Sequence, residues 1–323
     1  MKTIYKQIIS SVAFIVILFI LLAAVSFVFV PKNNAKKDGM EDVSANGILG
    51  EEENTIDVLF LGDSECYCSI SPLQIFGEYG ISSYVCATSA QKLCDTEQFL
   101  HKAFENQKPK LVVLEVNALY RNVSYESEVL CGIEKVLPIF KYHNRWKSLT
   151  AKDFSFDIKY TYNEKSKGYL YSATVKASKN IDYMKKSDEI EKIASKNQSY
   201  VKDILEFCKA NGAELILISA PSTKNWNYMK HNAVLEFAKE LNLEYIDMNL
   251  MPEEVPIDWA QDTKDKGDHL NYHGATKVTS YIGKYLADKN MFEDHRDEEK
   301  YDSWNTAYNE YMDKINKQEN KKQ

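Results

Sequence analysis

Three residues with the chemistry of acyl transfer stand far apart in the chain. Ser64 sits in Gly62-Asp63-Ser64, directly behind the apolar run Ile56–Leu61. A serine hydroxyl is almost never ionised at neutral pH, so as a nucleophile it needs a base. His269, in Lys264-Asp265-Lys266-Gly267-Asp268-His269-Leu270-Asn271, is the base candidate. A carboxylate beside such a histidine fixes its tautomer and steadies the imidazolium. Asp265 and Asp268, four residues and one residue before it, are the alternatives. Asn117 closes the run Lys110–Val116, where its side-chain amide can donate to an oxyanion. Taken singly, each motif also reads as plain turn chemistry, a solvated loop histidine or a turn cap. Asp63 reads as a residue that orients the turn by hydrogen bonds to backbone.

What joins the three is their place at the ends of apolar runs, since open parallel sheets gather functional groups at the carboxyl ends of their strands. Strands are predicted at Ile56–Leu61, Ser82–Val85, Lys110–Val116, Glu214–Ser219 and Tyr245–Met248. Helices are predicted at Thr96–Asn106, Glu191–Asn211, Asn232–Leu241 and Gly274–Ala287. Buried strands alternating with helices imply an α/β fold with a mostly parallel sheet covered on both faces. Residues 120–185 break that rhythm and read as an insertion over one end of the sheet.

Ile8–Val30 carries no charge over about 23 residues, roughly 34 Å of helix, enough to cross a hydrocarbon core. That exceeds the apolar region of a signal peptide, so residues 1–30 read as an uncleaved anchor. Lysines flank it on both sides, and charge alone does not orient it. Residues 31–55 read as a flexible linker, 56–290 as the globular domain, and 291–323 as a charged tail, a solvated helix or a frayed end. With 40 Lys+Arg against 47 Asp+Glu, a net charge of -7, the chain is not built to neutralise nucleic-acid phosphates. At 44% hydrophobic residues it is too apolar for disorder.

The blocks IDVLFLGDS, LEVNAL and DKGDHLNYHGA together resemble the SGNH/GDSL hydrolase family, and in layout the membrane-anchored members that serve cell-envelope acylation. The resemblance covers roughly residues 56–120 and 205–288. It implies a three-layer α/β/α sandwich and hydrolysis or transfer of an O-acyl ester, with no cofactor and no metal. It assigns Ser64 as nucleophile, His269 as base, and Asn117 with the Ser64 backbone N–H as oxyanion donors. It also implies a plasma-membrane protein with its C-terminal domain outside, an acylated glycan or polymer as substrate, and an integral-membrane acyltransferase as partner.

Two positions depart from the family pattern. The family's acid stands three residues before the histidine, where this chain has Lys266, which leaves Asp265, preferred, and Asp268 to choose between. The family's oxyanion glycine falls at Ala87, whose backbone N–H can still donate along the same path. Asn225, Trp226 and Tyr228 follow the strand Glu214–Ser219 and suit sugar rings, although Trp226 also reads as a core residue. His231 reads as structural. The six cysteines allow disulfides in an exported domain. Against the esterase or acyltransferase reading stand a glycan-binding scaffold that has lost the chemistry and, as a third class, a surface lipase or peptidase.

Overall fold

The computed structural model describes residues 2–122 and 124–320. All five apolar runs are strands: β1 (Val58–Gly62), β2 (Ser83–Ala87), β3 (Leu111–Glu115), β4 (Glu214–Ser219) and β5 (Glu244–Asp247). They form one parallel sheet in the order β2-β1-β3-β4-β5. Side chains alternate between its faces. Val58 and Phe60, Val85, Leu111 and Val113, Ile216 and Ile218 share one apolar core with Ile70, Ile75, Val278, Ile282 and Leu286. Those last five lie on α2 (Ser64–Ser69) or its end, α3 (Pro72–Tyr79) and α9 (Tyr272–Asp288). On the intervening positions Leu59, Leu61, Val112, Leu114, Leu215 and Leu217 are buried as well. That side is covered by α4 (Leu93–Asn106) and α7 (Ser195–Ala210), which pack on each other, while α8 (Tyr228–Leu241) lies against β5. The result is the three-layer α/β/α arrangement, with β1 and β3 at the point where the strand order reverses.

The chain divides into two compact units, Met1–Val43 with Ser124–Tyr162, and Ser44–Val123 with Asn163–Gln323. The second holds the sheet. It also takes in segments expected to lie outside it. Residues 45–49, placed in the flexible linker by sequence, are buried in a 3-10 turn against β2 and α4. Lys167 fixes their end: its ammonium, 1% exposed, donates to both oxygens of buried Glu51 at 2.8 and 2.9 Å and lies 4.5 Å over the Trp304 ring.

The C-terminal tail is likewise part of the fold. It forms α10 (Asp302–Glu319), packed on α3 with Trp304 and Tyr311 buried. Ahead of it the His295 ring stands between Asp57, at 2.9 Å, and Glu298, at 2.6 Å, and stacks on Tyr301. Charge disguises the packing of this helix in the sequence, because only one narrow face of it is apolar.

The first unit contains α1 (Lys2–Phe29), α5 (Tyr125–Val136) and α6 (Ile139–Tyr142). Within α1, Thr3–Phe29 has the length and hydropathy of a membrane span and is almost wholly bare of protein contacts. The stretch read as one insertion thus divides: 124–162 belongs with α1, and 163–185 runs across the sheet unit without strand or helix. Among the described residues, Cys66, Cys68, Cys86 and Cys208 are free thiols.

Trp304 tests the correction to the tail. Removing its ring from this interior, as Trp304→Ala, is expected to cost about 3–5 kcal/mol, read from the urea midpoint of the purified protein. A shift within error of zero would mean that the tail helix contributes nothing to the fold.

Candidate active site

Ser64 opens α2 at the carboxyl end of β1. The approach of chain there leaves no room for a side chain before it: a Cβ on Gly62 would lie 2.8 Å from the Glu115 Cβ and 2.9 Å from the Cys66 Cβ. Asp63 caps the helix, its Oδ1 accepting the Glu65 N–H at 3.0 Å. That matches the turn-orienting role, and Asp63 does more. Its Oδ2 accepts from Asn117 Nδ2 at 2.9 Å, from Arg121 Nε at 2.7 Å, and from Arg121 Nη2. Asn117, in the turn after β3, therefore lies across the strand-order reversal from Ser64, with one amide hydrogen committed to Asp63. Ala87 lies opposite Gly62 in the sheet register.

His269 comes from the loop before α9. Asp265 holds it twice, with Oδ1 accepting the His269 backbone N–H at 2.7 Å and Oδ2 facing Nδ1 at 2.6 Å. The intervening Lys266 and Gly267 both have left-handed backbone, φ +70° and +87°, and they curl the loop so that Asp265 reaches back four residues. A Cβ on Gly267 would strike Thr223 Oγ1 at 1.9 Å. The loop is closed by Thr263 Oγ1, which accepts the Gly267 N–H and donates to the His269 carbonyl. Residues 172–178 strap it from outside through Lys176 N–H to the Thr263 carbonyl and Lys266 N–H to the Lys176 carbonyl. Asn271 then caps α9 and ties it to Gln261 and Thr174.

Asp268 turns the other way, to Asn225 Nδ2 at 2.7 Å. The same amide nitrogen donates to Glu65. A ring nitrogen of His269 and carboxylate oxygens of Glu65 and Asp268 lie within 4.8 Å of one another. This places the imidazole beside the residue that follows Ser64. The trio has cation-ligand spacing, and a metal held there would take the imidazole away from a serine.

The sugar-facing expectation for the 221–228 loop needs correction at Trp226. It is 3% exposed, and its indole N–H is held by Asp247 at 3.0 Å, so no ring face is offered to a ligand. Asn225 is at the site but bound between two carboxyls. Tyr228 is half-buried, tilted against the His231 ring. His231 joins Trp226 and Tyr245 on Asp247, a structural network.

No protein-family model and no curated protein matches the sequence. Solved structures of esterases and lipases match the fold. A psychrotrophic esterase from a Pseudoalteromonas species shares 11% identity at a TM-score of 0.39, covering 72% of this chain and 96% of its own. An acetyl xylan esterase shares 12% at 0.39, covering 72% and 100%. A GDSL-like lipase from Bacteroides thetaiotaomicron shares 16% at 0.35, covering 72% and 88%. Likeness this distant assigns neither substrate nor mechanism.

Three carboxyls not foreseen as a group surround the turn at Ser64: Asp63, Glu65 and Glu115, each 1% exposed or less. Arg121 is paired with Asp63. Burial first, then the charges of Asp63 and Glu115, push the Glu65 carboxyl well above its ordinary range. Burial and Asp63 do the same to Glu115, against the N–H groups of Asn117 and Ala220. Arg121, one turn beyond Asn117, and Glu65, directly after Ser64, carried a signal only in their spacing from the candidate residues.

The raised carboxyls fix the sign of a pH effect. The native state holds protons that the unfolded chain has released, so their contribution is complete below the unfolded glutamate range, about pH 4, and declines as pH rises through the folded values. Urea unfolding from about pH 5 to 8 should show wild-type stability falling, and Glu65→Gln, which keeps an acceptor for Asn225, should flatten that fall. Parallel curves for the two proteins would refute a protonated Glu65.

Proposed function

We propose that this chain is a membrane-anchored serine esterase or O-acyltransferase acting on acyl esters of a cell-envelope glycan or related polymer. The observation that supports it most is the doubly held Asp265–His269 pair beside the helix turn that presents Ser64. In this reading Ser64 Oγ attacks the acyl carbonyl and His269 takes its proton. Asp265, on Nδ1, holds the ring in the tautomer that can accept at the other nitrogen and steadies the imidazolium. The tetrahedral oxyanion would meet the Ser64 backbone N–H, an unfilled donor of the first turn of α2, and the second hydrogen of the Asn117 amide. Ala87 adds a backbone N–H at the same edge. The proton then passes from His269 to the leaving alcohol, and water or a sugar hydroxyl resolves the acyl-enzyme.

Asp265 serves as the acid because it meets the imidazole; Asp268 is engaged with Asn225. Thr3–Phe29 would hold the chain in the plasma membrane with the sheet unit on the outer side, within reach of envelope polymers and of an integral-membrane acyltransferase partner. These last assignments rest on the resemblance of the motifs and on the apolar helix.

Fluorophosphonate labelling of the detergent-solubilised full chain tests the reading. Wild type should label, and Ser64→Ala should abolish it. Asp265→Asn should slow labelling roughly 10²–10⁴-fold, with Asp268→Asn close to wild type. A folded wild type that does not label would support the glycan-binding scaffold instead. Release of free acid against transfer to an added glycan acceptor separates hydrolase from transferase.

A further inference from the structure

The unit that contains α1 carries a feature the esterase reading does not use. Most of α1 is bare, but its last turn is wrapped by residues 139–156. Ile139 N–H donates to Ser26 Oγ at 3.2 Å, and the Phe156 ring lies 4.6 Å from the Phe27 ring. The orphan carbonyls at the helix's end are taken by cations: Lys32 Nζ donates to the Phe27 carbonyl and Arg145 Nη1 to that of Phe29. Arg145 is buried and braced by Asp153 at 2.6 Å, and Asp153 in turn accepts from the Thr150 N–H and hydroxyl. Cations at a helix C-terminus both satisfy its carbonyls and oppose its dipole. The wrapping is therefore built into the helix end.

The outer surface of this wrapping is aromatic. Trp146, Phe154 and Phe156 are 64%, 63% and 86% exposed, with Phe140 and Ile158 also open. A water-facing unit rarely shows so many large apolar side chains within twenty residues. Their depth is set by α1. Ser26 and Phe27 lie three to four residues inside the end of the apolar run at Val30, about 4–6 Å at the helical rise. Groups that touch them sit at the boundary between hydrocarbon and headgroups. Basic residues are interleaved with the aromatics: Lys141, Arg145, Lys147, Lys152 and Lys159 against Asp153 and Asp157 between positions 139 and 159. Lys147 lies 5.0 Å over the Trp146 ring. Aromatic rings with long cationic side chains are the composition of a bilayer interface, and anionic headgroups add attraction.

We infer that residues 139–159 form a collar around the exit of α1 that seats in the headgroup layer of an anionic lipid bilayer. The chain then holds the membrane by a span and an interfacial ring of aromatic side chains, which fixes the span's depth. The inference rests on α1 crossing the membrane.

Trp146 is a native probe, because Trp226 and Trp304 are buried and Trp259 is half-buried. The full chain is reconstituted into vesicles of mixed phosphatidylglycerol and phosphatidylcholine, a fraction of them brominated either near the carbonyl end or near the terminus of the acyl chain. The expected result is quenching of a component of the emission, stronger for bromine near the carbonyl end, and loss of that component in Trp146→Phe. Retention of the chain under alkaline carbonate with equal quenching of wild type and Trp146→Phe would overturn the collar alone. So would a Trp146 shielded from aqueous iodide yet untouched by brominated lipid, which would mean that protein covers it. Release of the chain by alkaline carbonate would overturn the span and the collar together.

Discussion

Everything at the candidate site hangs on one buried charge. Asp63 is wholly enclosed at the end of β1 and accepts from the Glu65 N–H, the Asn117 amide and two nitrogens of Arg121. A carboxylate in that position is tolerable only if its lone pairs are filled, since removing one partner of a buried pair typically costs about 3–5 kcal/mol. The donors come from the turn after β1 and the turn after β3, so satisfying the charge also locks those two turns together. Ser64 and Asn117 inherit their relative placement from this requirement.

The same arrangement explains why one arginine suffices for three carboxyls. Glu65 and Glu115 are too far out of water to bear charge cheaply beside Asp63. Burial and neighbouring charge favour their protonated forms, against amide hydrogens donated by Asn225 to Glu65 and by the backbone of Asn117 and Ala220 to Glu115; Glu65 Oε2 is buried without a partner among the described residues. Nonpolar replacements would orphan those donors.

How far the sequence disclosed this depended on the kind of signal. The strands were readable because each is a short, nearly continuous apolar run, and all five lie within about two residues of where periodicity puts them. The motif residues were readable because they follow those runs directly. The helices of residues 64–79 were not marked out, being too short for an apolar repeat to register, although Ser71-Pro72 before the second and Gly80 after it are a start and a stop. The burial of residues 45–49 and the docking of α10 were hidden for a different reason. Both dock through a few large contacts, the Lys167–Glu51 pair and the Trp304 ring, inside stretches whose average composition is polar. Trp226 shows the converse error: an aromatic on a strand-end loop suggests a ligand platform, but an acceptor such as Asp247 on the next strand can draw it inward, and no local pattern announces that acceptor.

The spacing of the acid shows the same point at the level of a single loop. A carboxylate three residues before a histidine reaches its ring on an ordinary bend. Here the third position is Lys266, and its left-handed φ, followed by that of Gly267, shortens the path so that the fourth residue back takes the place. Gly267 can adopt this because it has no side chain to strike Thr223, and the strap at Lys176 holds the Lys266 N–H that the curl exposes. Asp265 then binds the His269 backbone as well as its ring, which ties carboxylate and imidazole to each other at two points. Handedness, glycine and strap together point one carboxylate at one ring nitrogen.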